Sequence, residues 1–500
     1  MKMLALMHTI FQQDRPRSQS LQQDPLGMLD QHPVFDLPLE SQDAGRQWTV
    51  IRKEASPSFG RVPSNTLSRI ISRFASNLDS DKNSNFQLPW NFGPFLEDVP
   101  RRLGRNAALD ASAEAVMAAY VAFRTRGGGD PDRNDALCLN SYGRAVNALR
   151  ACLNDDRASS SETLCSTLML LIVETLSGLD KGKILSHAGG AAGILKARGA
   201  VKSKNEFEDK ILLSLRGPVI MHALFTQEPI FTNREWEALV INPMEGHGVD
   251  GRVLRVAALL PNLLLNTRSA FAQSRIDYVK LIDVHGHLRE LHTAHALSRR
   301  EVVARFEEID TREASTSALP VQTMIFHSHY ARQVAVTLAY EIMLCLLLST
   351  ICSAPPPPHL MDSDGFPWSP TVDPFIYLDQ VGASSKYLSD LGDRVTAHRP
   401  LGTIYMTFVL RVAHVAAPTE TAKARIIAQL HDFASDMGVP TAKIDSELQQ
   451  LGEYLTLRDV RGWRPGKVHP EEAPTGSSNG RYQDPGGYRE SAKVVPEASS

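Results

Sequence analysis

Cysteine is scarce in this chain. The 500 residues hold five, Cys138, Cys152, Cys165, Cys345 and Cys352, and no two are spaced as Cys-x-x-Cys. An odd, scattered set argues against a disulfide framework and a cysteine-rich zinc site; it fits small buried side chains in a reducing compartment. An excess of one charge is missing too. The 53 Lys and Arg against 56 Asp and Glu leave a formal net charge of −3, so there is no whole-chain basic footprint for non-specific nucleic-acid binding. Long apolar runs are equally rare. The one candidate span is "VAVTLAYEIMLCLLLSTICSA", Val334 to Ala354, and it carries Glu341 in its middle. An internal carboxylate and the "PPPP" that follows make it a buried core helix of a soluble protein rather than a membrane helix. The N-terminal "MKMLALMHTIF" breaks at "QQDRPRSQ" without a small-residue cleavage site, which argues against a secretory signal.

Catalytic and phosphate-binding motifs are also absent. "HAGGAAGILKARG", His187 to Gly199, has the glycines of a phosphate loop but not the chemistry. A dinucleotide fingerprint needs Gly-x-Gly-x-x-Gly after a strand, and the stretch before it is helical in pattern. A P-loop needs Gly-Lys-Ser/Thr, and here Lys196 precedes alanine. The expectation is therefore packing: Gly189, Gly190 and Gly193 as a smooth helix face against a neighbour, with Gly199 as the stop after Arg198. There is no Gly-x-Ser-x-Gly elbow and no His-Glu-x-x-His, and Cys165 lies in an apolar stretch that disfavours its thiolate.

What is present is helix after helix. Hydrophobic residues at 43% and charged residues at 22% are ordinary globular usage. Residues 1–105 have scattered prolines and Gln/Ser/Asp clusters, and the expectation is a mostly disordered segment. Within it, apolar pieces such as "LPWNFGPFLEDVP" can dock on a partner or on the body. From 106 to 460 three- and four-residue apolar spacing takes over. Val116, Tyr120 and Phe123 share a stripe, as do Tyr142, Val146, Leu149 and Leu153. Serines ahead of Glu162 mark an N-cap. Breaks fall at "TRGGGDPDRND", "GVDGR", "APPPPHLMDSDGFPWSPTVDP" and "AAPTE". No hairpin signal appears, and residues 461–500 become tail-like. The fold class is all-α: a large multi-helix domain between disordered ends.

Three residue groups remain as candidates for chemistry. His285, His287, His292 and His295 cluster in "VHGHLRELHTAH", and two histidines on one helix face can hold zinc if a third ligand joins them. A solvated helix explains them equally well, and His327 with His329 is a weaker pair of the same kind. Glu307 and Glu308 lie beside arginines and read as solvated helix-surface pairing. The basic run Lys181, Lys183, Lys196, Arg198, Lys202 and Lys204 reads as cations complementing a helix C-terminus. The residues themselves thus nominate no catalytic, cofactor-binding or metal residue.

The order of several segments resembles the fungal-specific transcription factor domain that follows the binuclear zinc cluster in many fungal regulators. "YGRAVNAL" matches its Tyr-x-x-Ala-Leu-type helix through Tyr142, Ala145 and Leu149. "TLCSTLMLLIVE" is similar to the buried helix that ends in Tyr-Glu, with Val173 in place of tyrosine before Glu174. "HAGGAAGILKARG" keeps His187, Gly190, Ala191, Ile194, Leu195, Arg198 and Gly199 in step with the family's His-x-x-Gly-Ala motif. "LLSLRGPVIMHALFTQEPIFTNREWEAL" looks like its helix and Phe-x-x-x-x-Trp element, and "RPLGTIYMTFVLRVAHVAAPTETAKARIIAQLHDFASDMG" like its C-terminal helices. The likeness covers about residues 107 to 455.

That resemblance implies a non-enzymatic regulator of transcription in the nucleus. One feature departs from it: the six-cysteine cluster that reads DNA has no counterpart, because the first cysteine is Cys138, inside the helical region. The expectation is a truncated regulator or one that acts through a DNA-binding or co-regulator partner; a small-molecule effector and a homodimer are further candidate partners. The alternative is a helical metal-binding protein or enzyme built on His285, His287, His292 and His295.

Overall fold

The structure is a computed structural model that describes residues 65–80, 86–125, 131–178, 186–199, 203, 205–226, 228–272, 275–314, 321–355, 373–400, 405–436, 439 and 441–460. The disorder expected of residues 1–64 and 461–500 lies outside them. Among the described residues there is no strand, so the all-α reading stands. The long helices are α1 (Thr66–Ser80), α2 (Ala107–Arg124), α3 (Pro131–Leu153), α4 (Ser161–Ser177), α5 (Ser186–Ala197), α6 (Glu206–Leu224) and α7 (Gly248–Phe271). They continue with α8 (Tyr278–Ala314), α9 (Val321–Cys352), α10 (Pro374–Val395), α11 (Met406–Ala416), α12 (Glu420–Asp436) and α13 (Thr441–Leu455).

Local chemistry sets the helix ends. Asn106 caps α2, its side chain accepting from Ala108 N and Leu109 N at 2.9 and 3.1 Å. Ser160 caps α4 by accepting from Thr163 N at 3.1 Å, as the serine run predicts. Asn205 caps α6 at Glu208 N, 3.0 Å. At Thr232 and Glu235 a reciprocal capping box opens a short helix, Asn233–Trp236. The expected break at "GVDGR" differs: Gly248 and Val249 begin α7, and the turn lies just before them, where Gly246 and Gly248 take φ of 85° and 55°.

Neighbours in sequence are mostly neighbours in space. Helices α2 to α6 pack on one another, and α7 leads into a second group in which α9 touches α8, α10 and α11. Beyond Gln333, α9 is almost entirely apolar, and its residues are buried on all sides. It is long and apolar enough to cross a membrane, yet 94% of its apolar window is buried inside the protein. Its one internal carboxylate is provided for: Ser384 Oγ donates to Glu341 at 2.7 Å and Arg299 pairs with it at 3.0 Å.

The helical body starts earlier than position 106. Helix α1 packs on α2 and buries Phe74 completely. The segment "LPWNFGPFLEDVP" docks on the body rather than standing free, with Leu88, Phe95, Leu96 and Val99 at 0% exposure. Lys210 of α6 fastens it through Asp98 at 2.9 Å. Composition missed this because prolines and acids dilute the apolar residues, whereas burial depends only on the shape that receives them.

Candidate functional site

The motif residues converge at one junction. Tyr142 of α3 donates its hydroxyl to Glu174 Oε1 of α4 at 2.9 Å, and the same hydroxyl lies 3.0 Å from His187 Nε2 of α5. His187 Nε2 is 3.2 Å from Glu174 Oε1, which closes the triangle. Three helices are therefore tied together by one phenol, one carboxylate and one imidazole, from the middle of α3, the last turn of α4 and the first turn of α5.

The far end of α5 carries a second lock. Arg198 pairs with Glu208 of α6 at 2.7 Å, both side chains 3% exposed. Arg198 Nη2 also donates to Ser160 O at 2.7 Å, and Ser161 Oγ donates to Glu208 Oε2 at 2.7 Å. Arg198 is thus a buried cross-helix partner and not a solvated cation on a helix dipole. The other member of the basic run within the described residues, Lys196, reaches Ile230 O at 3.1 Å.

The glycines of α5 divide in a way that spacing did not foresee. Only Gly189 sits at a close approach: a Cβ there would lie 2.6 Å from the His222 ring. Gly190 and Gly193 are exposed, and the packed face is instead Ala188, Ala191, Ala192, Ile194 and Leu195. Gly199 takes φ of 60° and ends the helix as expected. Nearby, Phe231 and Trp236 meet edge to face at 5.0 Å, with Trp236 fully buried, so the Phe-x-x-x-x-Trp spacing is an intramolecular aromatic contact.

The four histidines of α8 do not form one site. His287 is exposed and its Nδ1 lies 2.9 Å from Asp283 O. His285 faces Cys352 of α9, Nε2 to Sγ 3.7 Å. His292 Nε2 meets Gln380 Oε1 of α10 at 3.0 Å. His295, fully buried, donates Nε2–H to Thr337 O at 2.9 Å, and burial pushes its pKa down to about 4. Each histidine thus has a different partner, and no group of three or more ligating side chains that could hold a metal occurs among the described residues. The five cysteines are all buried as free thiols, and burial raises the pKa of Cys165 well above the ordinary value, as its apolar stretch predicts.

Sequence reasoning passed over a different polar node. Glu307 and Asp310 of α8, His327 of α9, Tyr387 and Arg394 of α10, and His398 just beyond α10 meet across three helices. Arg394 Nη1 bonds Glu307 Oε1 and Asp310 Oδ2, each at 3.0 Å. Tyr387 donates a short hydrogen bond to Glu307. His327, 1% exposed, bonds Asp310 Oδ1 through Nε2 at 2.9 Å, and its ring lies 4.4 Å from that of His398. Burial lowers the pKa of both imidazoles, His398 to about 4. Burial alone would raise Asp310, but the bonds from His327 and Arg394 outweigh it and hold the carboxylate below its ordinary value. Glu307 is thus a cross-helix acceptor rather than a solvated surface charge; Glu308 does keep the surface pairing, with Arg305 at 3.7 Å. The signal was there in "ARFEEIDTRE" and "IFHSHYAR", but only tertiary contact joins residues 307 and 394.

Compared with known proteins, the chain matches no protein-family model, no curated protein and no solved structure.

Proposed function

We propose that this chain is the helical regulatory region of a transcriptional regulator of the fungal zinc-cluster type; the 500 residues themselves contain no DNA-reading cluster. It works in the nucleus, without catalysis, through a DNA-binding or co-regulator partner. What supports the reading is the junction of Tyr142, Glu174 and His187. These residues come from three separate segments whose order carries the resemblance. A set of motifs that earns its spacing by mutual contact is better support than any one of them alone.

The test is a fusion of the full chain to an unrelated DNA-binding domain above a reporter gene, paired with transcript profiling after deletion of the native gene. A reporter driven up or down, and a coherent set of altered transcripts, are the expected results. An inert reporter with an unchanged transcript profile overturns the proposal.

A further inference from the structure

A small open cavity lies where the end of α5 meets the Phe231–Trp236 element. Leu195, Phe231 and Leu239, all buried, form its floor, and Lys196, Gly199 and Glu235 ring its mouth. Its volume is about 40 Å³. That is room for a group of isopropyl or isobutyl size, more than a single water needs and less than an aromatic ring takes up.

The floor is held from behind. The Phe231 ring rests edge to face on Trp236, and Phe231 O accepts from Asn262 Nδ2 at 3.1 Å. Leu239 belongs to a π-helical turn, Glu237–Ile241, and its carbonyl accepts from Arg216 Nε of α6 at 2.8 Å. Turns of this kind are uncommon and recur at functional sites. Side chains fixed in this way cannot collapse to fill the space between them.

The mouth carries one charge of each sign. Lys196 Nζ gives one hydrogen to Ile230 O at 3.1 Å and has two more to offer. Glu235 Oε2 accepts from Thr232 N at 2.7 Å and from Thr232 Oγ1 at 2.9 Å, which leaves Oε1 for a guest. The backbone bond from Thr232, helped by its hydroxyl and by Lys196, holds the Glu235 carboxyl below its ordinary value, so it is ionised at neutral pH. A guest that suits all of these features has a short aliphatic side chain, an anionic end and a cationic end.

We infer that this cavity is a binding site for a free aliphatic α-amino acid of the size of valine or leucine. The side chain enters between Leu195, Phe231 and Leu239, the carboxylate meets Lys196, and the ammonium meets Glu235 Oε1. The site requires no assumption about transcription.

Saturation-transfer NMR titration of the full chain with L-valine and L-leucine tests this. The comparison compounds are isovalerate, which is valine without the ammonium, and isobutylamine, which is valine without the carboxylate. The expected result is saturable binding at about millimolar concentration, ordinary for so small a ligand, with each truncated compound about fivefold weaker, the loss expected of one partly exposed ion pair. Glu235→Gln removes the charge and keeps the capping box, where glutamine also serves; it should weaken valine about fivefold and leave isovalerate unchanged. Lys196→Gln should weaken valine to the same extent and leave isobutylamine unchanged. Thermal melts check that both variants fold as the parent does. Absence of saturable amino-acid binding overturns the proposal, as does isovalerate or isobutylamine that binds as tightly as valine. So does a Glu235→Gln or Lys196→Gln chain that melts like the parent and binds valine equally well.

Discussion

Arg198 and Glu208 illustrate how much one buried pair can decide. With both side chains 3% exposed, removal of one partner strands the other charge away from water. Arg198→Ala should destabilise the protein by about 3–5 kcal/mol in urea unfolding, whereas Arg198→Met combined with Glu208→Leu should recover most of that loss. Equal losses in the single and double variants would show that the pair itself is not responsible. Histidine burial makes a second prediction, on pH. His295 titrates near 6.5 when exposed and near 4 in the folded chain, so the unfolded state binds more protons between those values. Stability is therefore full above pH 6.5 and declines as pH falls toward 4; His329, pushed down to about 3, and His398, to about 4, act with the same sign. His295→Gln should flatten that decline by up to about 1.4 kcal/mol per pH unit, read from urea midpoints across the window. An unchanged slope would mean that His295 is protonated in the fold.

Helix α5 shows how element-level packing departs from a glycine count. Gly190 and Gly193 face solvent with nothing closer than the Thr167 methyl at 3.9 Å, and both have ordinary helical backbone. Gly190→Ala and Gly193→Ala should each raise stability by about 0.5–1 kcal/mol, because alanine loses less entropy in a helix. Gly189→Ala should forfeit that gain, since its Cβ would press on the His222 ring at 2.6 Å. A thermal melt of the three variants separates them, and a stabilised Gly189→Ala would show that His222 moves aside freely. Helix α9 is the opposite case. Its apolar run and single Glu341 were readable as a buried core helix, because a carboxylate in such a run needs a partner; that Ser384 and Arg299 are the partners was not readable.

At the scale of the whole molecule, the N-terminal part of the body is a wall of the core. Helix α1 and the segment from Phe86 to Val99 contribute Phe74, Leu88, Phe95 and Leu96 at 0% exposure, and each large apolar residue contributes roughly 1.5–3 kcal/mol by burial. A chain that begins at Asn106 should therefore lose cooperative unfolding and become sensitive to limited proteolysis at protease levels that the full chain resists. Cooperative melting of that shortened chain at the parent's temperature would show that the segment is dispensable. The sequence by itself determined the helical class, the serine cap ahead of Glu162, the stop at Gly199 and the buried state of α9. All of these depend on residues within a turn or two of one another, where spacing and capping chemistry act. Only the tertiary structure decided that Tyr142, Glu174 and His187 meet, that the four histidines of α8 part company, and that Arg394 gathers Glu307 and Asp310. Those outcomes depend on which helix faces which across separations of 30 to more than 80 residues. Periodicity marks which face of a helix is buried, and the packing of the whole chain selects the partner that covers it.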